Sequence, residues 1–212
     1  MEIDLHIHSR YSNDSRSKPD EIVKRAVSLG LGAIAVTDHN SWGGARAAAK
    51  IASGSVLVVP GAELKTDRGD LLALFVDEEI RTKVYAEAID EIKARGGISI
   101  VPHPTESSRV TKEDVMLADG LEVFNSTCSE ENNLRALQLG TGLKKPGFAS
   151  SDAHMVLEIG NGRTRVAECS SLDELRREIL KNPAPSKMVR SNPVLHRVNS
   201  YINFGLKGIW MR

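Results

Sequence analysis

Short apolar runs alternate along this chain with longer stretches whose apolar residues recur at helical spacing, and the alternation predicts an order of elements. Residues 3–5 read as a first strand that ends at His6. Pro19 opens a helix through about residue 29, with Ile22, Val23, Ala26, Val27 and Leu29 on one side and Gly30 just beyond its end. Residues 33–37 form a buried strand, residues 43–52 an Ala-rich helix, and residues 56–59 and 71–76 two further strands. The clearest helix spans 81–95, with Val84, Ala88, Ile89 and Ile92 on one face and Gly96-Gly97 as its stop. Residues 98–101, 120–124 and 147–149 read as three more strands, and 172–180 as a late helix ended by Asn182-Pro183.

Strands separated by helices predict βα units and an α/β fold with a parallel sheet. About seven such units before residue 185 favour a small or irregular barrel over an open sheet. The pattern changes at Pro183: Pro185 and Pro193 follow, then Val194, Leu195, Val198, Tyr201, Ile202 and Phe204 at helical spacing. The division expected is a barrel domain over 1–182 and a helical C-terminal extension over 183–212. That extension packs on the barrel, or alternatively binds a partner.

A chain of 212 residues with 41% hydrophobic and 26% charged residues suits one globular domain. Lys plus Arg equals Asp plus Glu at 28 each, so no global field draws in long duplex nucleic acid or an anionic membrane. The longest apolar runs, such as residues 71–76, fall far short of the roughly 20 residues that cross a bilayer, and the start of the chain lacks a signal-like basic and apolar leader. Two cysteines, Cys128 and Cys169, without CxxC spacing, read as reduced thiols in a cytoplasmic protein.

Histidine placement changes the picture most. Five of the six histidines, His6, His8, His39, His103 and His154, fall at the C-terminal ends of predicted strands or just after them, the rim where parallel α/β folds do chemistry. Carboxylates share those places: Asp38 before His39, Glu63 after the 56–60 strand, Asp152 two before His154. Side chains two apart at a strand end point the same way, so His6 with His8, and Asp152 with His154, can each grip one ion. A Glu63 carboxylate can bridge two ions, which an imidazole cannot. An imidazole–carboxylate cluster suits two or three divalent ions of Mn, Zn or Fe, which ionise water near neutral pH and offset charge on a phosphate. No GxSxG elbow, Walker loop or GxGxxG occurs, which leaves serine hydrolysis and nucleotide-cradle chemistry without support.

The segments Asp4-Leu5-His6-Ile7-His8-Ser9, Thr37-Asp38-His39, Pro60-Gly61-Ala62-Glu63, Val101-Pro102-His103-Pro104 and Ser150-Ser151-Asp152-Ala153-His154 resemble, in order and spacing, the motifs of the polymerase-and-histidinol-phosphatase (PHP) family. The resemblance covers about residues 1–170. It implies a distorted (βα)7 barrel with a trinuclear metal centre at the C-terminal rim of its strands, and metal-dependent hydrolysis of phosphate esters. It implies His6, His8, Glu63 and Asp152 as ligands of a first metal, Glu63 and His103 of a second, and His39 and His154 of a third. Asp14 takes the place of a further ligand of the third metal, and Asp70 stands where the family usually has a histidine for the second. Catalytic roles fall to Glu63, Asp152 and His154. Asp38 is expected to orient a histidine, and Arg10, Lys65, Arg109 and Asn125 to contact the substrate: a small phosphorylated metabolite, a nucleotide or a short oligonucleotide. A non-catalytic PHP-like scaffold and a metal-dependent amidohydrolase are the competing readings.

Overall fold

The computed structural model describes residues 1–105 and 109–194. Its elements are β1 (Glu2–Ile7), α1 (Pro19–Ser28), β2 (Ala33–Val36), α2 (Gly43–Ala52), β3 (Leu57–Val59), β4 (Gly61–Lys65), β5 (Asp70–Leu74), α3 (Tyr85–Ala94), β6 (Ile98–Val101), α4 (Lys112–Leu117), β7 (Gly120–Asn125), α5 (Glu130–Leu143), β8 (Gly147–Ser150), β9 (Gly162–Arg165), α6 (Leu172–Glu178) and β10 (Ala184–Met188). The fold is mixed α/β.

The described strands form two five-stranded sheets, ordered β10-β9-β1-β2-β3 and β4-β5-β6-β7-β8. β1, β2 and β3 run parallel, as do β6, β7 and β8. β9 and β10 extend the first sheet antiparallel, and β4 and β5 begin the second antiparallel. The α/β class is as expected, but the described strands form two sheets and not the single distorted (βα)7 barrel. Pro60, which has no N–H to donate, follows β3, and the chain turns straight into β4 without a crossover helix. The two sheets meet instead at isolated parallel bridges, Ile7 to Ala153 and His39 to Glu63, both beside the rim histidines.

The strands read as continuous apolar runs because both of their faces are covered. Ile3, Leu5, Ala33, Ala35, Leu72, Leu74, Ile98 and Ile100 point into the core between the sheets, joined by Phe148. Alternate residues Ile34 and Val36 pack outward against Ile22, Val23 and Ala26 of α1 and Ala45 and Ala48 of α2. On the other side Leu71, Ala73, Val101 and Leu121 meet Tyr85, Ala88 and Ile92 of α3. The segment 184–188, expected to begin a helix, is strand β10 paired with β9, so the first sheet continues past the expected boundary at 182. The remaining stripe of the extension, Leu195 to Phe204, lies outside the described residues.

Candidate metal centre

β1 ends in His6-Ile7-His8, and its register with β2 shifts between Asp4 and Ile7, which lets the side chains of His6 and His8 turn inward together. Their Nε2 atoms lie 3.0 Å apart, both buried. His6 Nε2 is 3.5 Å from Glu63 Oε2 and 3.4 Å from Asp152 Oδ1, and His8 Nε2 is 3.4 and 3.1 Å from the same two oxygens. His6 and His8 thus face both carboxylates expected to share an ion with them. Glu63 lies inside β4 opposite Leu72, not in a loop after β3 as expected, and a strand holds it more tightly than a loop would. Its Oε1 faces His103 Nε2 at 3.3 Å, while Oε2 lies 2.9 Å from His39 Nδ1. Around Asp14 a further set gathers: His39 Nε2 at 2.9 Å and His154 Nε2 at 3.5 Å, with His8 alongside. The donor groups are therefore His6, His8 and Asp152; His6, Glu63 and His103; and His8, Asp14, His39 and His154.

Whether these groups suit a cation is decided by the far side of each ring. His6 Nδ1 lies 3.0 Å from Glu122 Oε1, and His154 Nδ1 lies 2.9 Å from the carbonyl oxygen of Asp152. Both partners can only accept, so Nδ1 carries the proton and the Nε2 lone pair faces the cluster. Ser12 Oγ accepts from the His39 backbone N–H at 2.9 Å and sits 3.2 Å from His8 Nδ1, which fits the same tautomer for His8. Two lone pairs 3.0 Å apart repel unless a proton or a cation lies between them. The described ion pairs of Glu63, Glu122 and Asp152, all buried, are with histidines alone, and among the described residues no Lys or Arg pairs with them. Glu63 Oε2 and His39 Nδ1 are buried without a hydrogen-bond partner despite their proximity. A divalent ion answers each of these conditions.

Without an ion, protons take its place. Burial alone pushes the imidazoles toward neutrality, yet Asp152, Glu122 and Glu63 outweigh it and hold His6 well above its ordinary pKa. Asp14 and Glu63 overcome burial to raise His39 to about 10, Glu63 raises His103 to about 9, and Asp14 with Asp152 raises His154 to about 9. His8 moves the other way, lowered by burial and by the charge of His154. Burial favours neutral carboxyls at Glu63 and Asp152, but the surrounding histidines, His6 foremost, hold both well below the usual range.

Backbone geometry sharpens the placement. His103 and Asp152 adopt left-handed φ of 28° and 49°, as does Asn40 at 50° beside His39. Such conformations cost about 1–3 kcal/mol each and persist where surroundings over-determine them. His103 N–H donates to Glu122 Oε2 at 2.9 Å, and Asp152 Oδ2 accepts from Asn125 Nδ2 at 3.2 Å and Thr127 Oγ1 at 2.9 Å. Glu158 Oε2 accepts from the backbone N–H of both His154 and Met155 at 3.1 Å. Ser15 Oγ lies 2.9 Å from the His8 carbonyl and 3.0 Å from that of His154, which ties the two loops together.

Several expected roles change. Asp38 touches no histidine: its Oδ1 and Oδ2 accept from the backbone N–H and hydroxyl of Ser9, both at 2.7 Å, and so clamp the loop after His8. Asn125 is buried and its amide is filled, with Nδ2 on Glu122 and Asp152 and Oδ1 accepting from Thr127 N–H and Oγ1; it holds the carboxylates and has no free group for a substrate. Asp70 belongs to none of the donor groups. It pairs across the ladder with Lys65 while Glu63 pairs with Leu72, which makes Asp70 a diagonal neighbour of Glu63, about 7–8 Å away. Burial, and then the charge of Glu63, raise its pKa. Arg10 and Arg109 are exposed in loops, and Lys65 is exposed at the end of β4. Glu122 escaped the sequence reading although it carried a signal: it is the one charged residue in the run Gly-Leu-Glu-Val-Phe-Asn of β7, which is buried throughout.

Fold and site together define a mixed α/β protein with a histidine–carboxylate centre suited to divalent metal. The PHP domain model matches residues 4–134 and the PHP-associated model residues 130–183, and the chain belongs to the PHP family. It is 35% identical over 144 residues to an uncharacterized protein of Methanocaldococcus jannaschii, covering 59% of this chain and 82% of that one. Its fold is similar to that of a two-domain Bacteroides vulgatus protein containing a predicted PHP-like metal-dependent phosphoesterase, with TM-score 0.75 and 20% identity over 94% of this chain and 69% of that one. A lesion-specific endonuclease from Pyrococcus furiosus shares the fold with TM-score 0.64 and 16% identity, over 91% and 59% of the two chains. At such identities the likeness to the solved structures is one of fold. No described helix is long and apolar enough to cross a membrane.

Proposed function

We propose that this chain hydrolyses phosphate esters with a water activated by two or three divalent ions of Mn, Zn or Fe. The observation that carries the reading is the convergence of His6 and His8 Nε2, within 3.5 Å of each other and of an oxygen of both Glu63 and Asp152, on buried ground without Lys or Arg partners. In this reading His6, His8, Glu63 and Asp152 hold a first ion, Glu63 and His103 with His6 nearby a second, and Asp14, His39 and His154 a third, with Asp70 at most a distant contributor to the second. Bound ions of this kind supply an ionised water near neutral pH and offset the growing charge on a phosphate. Glu63, whose two oxygens face different groups, keeps the ion positions at a fixed spacing. The proton given up by the attacking water would pass to the leaving oxygen by way of His154 or Asp152, which lie beside each other in the cluster. Arg10, Lys65 and Arg109 attract the non-scissile part of an anionic substrate, a small phosphorylated metabolite, a nucleotide or a short oligonucleotide.

Two observations weigh against the competing readings. Lys65, the residue an amidohydrolase reading would place between the ions, is exposed at the end of β4, whereas Glu63 faces the histidines. A scaffold has no reason to bury three carboxylates against histidines alone. The test is phosphate release from a panel of phosphate esters. Chelation should abolish turnover, Mn or Zn should restore it, and Mg should restore little because it prefers all-oxygen shells. Full turnover in excess EDTA overturns the reading, as does absence of turnover with every metal and substrate.

A further inference from the structure

Glu122 stands beneath the donor groups without belonging to any of them. It sits mid-strand in β7, and its carboxylate is divided between three neighbours, two from other parts of the chain and one, Asn125, at the end of its own strand. Oε1 faces His6 Nδ1 at 3.0 Å, at the end of β1. Oε2 accepts the His103 backbone N–H at 2.9 Å, just past β6, where φ is 28°. The same Oε2 accepts Asn125 Nδ2 at 2.8 Å, and that amide reaches on to Asp152 Oδ2 at 3.2 Å, just past β8. One carboxylate thereby meets His6, which is common to two donor groups, then His103 of one and, through Asn125, Asp152 of the other.

We propose that Glu122 is a positioning residue that locks His6, His103 and Asp152 into one frame and so sets the metal affinity of both groups together; this rests on the metal-centre reading above. Three features support it. A carboxylate can only accept, so the proton of His6 is fixed on Nδ1 and its Nε2 lone pair is fixed toward the ion. Its charge strengthens His6 as a donor. The hydrogen bond to the His103 N–H anchors a backbone conformation that a non-glycine residue otherwise avoids. A glutamine in the same place keeps the shape and loses the function: its NH2 cannot accept from His103 or Asn125, and turning the amide round breaks the acceptor for His6 instead.

The test titrates metal-free wild-type protein and Glu122→Gln with Zn2+ by calorimetry, with thermal melting of the metal-free proteins as the check on folding. The expected result is that the metal-free variant still unfolds in one cooperative transition, at a lower temperature than wild type because a buried acceptor is lost, while its zinc affinity falls about 10- to 100-fold at two sites together, the range seen when such outer partners are removed. Unchanged affinity, or a loss confined to one site, overturns the proposal. Should the variant fail to fold, 15N NMR of the wild-type histidines decides: the zinc-loaded protein must show His6 ligated through Nε2 with its proton on Nδ1, and the reverse tautomer sinks the idea. Wild-type protein that binds no zinc defeats the metal-centre reading itself, whereas wild-type binding matched by the variant defeats Glu122 alone.

Discussion

Glu63 turns one oxygen to His103 and the other to His6, His8 and His39, whereas Asp70, two residues along β5 from Leu72, lies outside the donor groups and meets His103 and His39 only through their charge. Replacing Glu63 by Gln removes a charge facing several donors at once, and phosphate release is expected to fall by about 100-fold or more, while Asp70→Asn should lose under about 10-fold. Steady-state phosphate release by the two variants decides the ranking, and a larger loss in the Asp70 variant contradicts it. The histidines carry a pH signature of their own. His39, His103 and His154 are raised to about 10, 9 and 9 in the metal-free protein, above an ordinary value near 6.5. A raised histidine stabilises the fold fully below its unfolded value and loses that contribution as pH climbs through the folded one. Metal-free protein is therefore expected to melt at progressively lower temperature from about pH 6.5 to about pH 10, and metal-loaded protein to fall less, because ions replace the protons. A melting temperature that rises over that window in EDTA contradicts the pairings.

At the scale of elements, contacts from elsewhere in the chain decide several boundaries. α3 begins at Tyr85, not near residue 81, because the Tyr85 N–H donates to Asp67 Oδ1 at 2.9 Å from the β4–β5 turn, a cap supplied by tertiary contact. α5 has only a weak apolar stripe: its buried residues are Asn133, Ala136 and Gly140, with Leu139 and Leu143 partly buried against the core and Leu134 and Leu137 exposed. Asn133 explains the polar contact face, since its side chain accepts from the Asn125 N–H and donates to the Asn125 carbonyl, which pins the rim end of β7. α2 enters so close to Asp38 that a Cβ on Gly44 would lie 1.9 Å from Oδ2 and 2.4 Å from Ser9 Oγ. Gly44→Ala is expected to push the Asp38–Ser9 clamp aside and cost about 1–3 kcal/mol, read as a lower denaturation midpoint. Zinc affinity should drop with it, because Ser9 follows His8 directly; a variant as stable as wild type shows that the clamp yields freely.

For the whole molecule, the two sheets converge where the site lies, through His39–Glu63 and Ile7–Ala153, with His8 N–H donating to the Ala153 carbonyl at 2.9 Å. Their far edge is closed by the last described strand. β10 pairs with β9, Ser191 N–H donates to the Ser126 carbonyl at 2.7 Å, and Arg190 Nε donates to the Cys128 carbonyl at 2.9 Å, so the segment straps the loop after β7. Ending the chain at Asn182 is expected to lower the melting temperature by about 5 °C or more relative to ending it at Val194, where about 2–4 °C corresponds to each kcal/mol in a chain of this size. Equal melting of the two truncations removes β10 from the structural core.

Sequence alone determined which candidate donor residues occur and their order along the chain. The HxH pair at the end of a strand, the DxH pair late in the chain, and single His39, Glu63 and His103 after apolar runs are local arrangements, set by the twofold period of strands and by where helices must follow them. The mixed α/β class was legible for the same reason, because buried strands and amphipathic helices differ in period. Only the tertiary structure decided the rest. Strand direction after Pro60, the placing of Glu63 inside β4, and the fate of residues 184–188 depend on which edge accepts them, and an edge is a property of the assembled sheet. The exclusion of Asp70 and the saturation of Asn125 depend on register, where one step changes which side chains meet. Glu122 looked like one charge in an apolar strand; His6 and His103 come from the ends of two other strands, and only folding brings them to the carboxylate that Asn125 also holds.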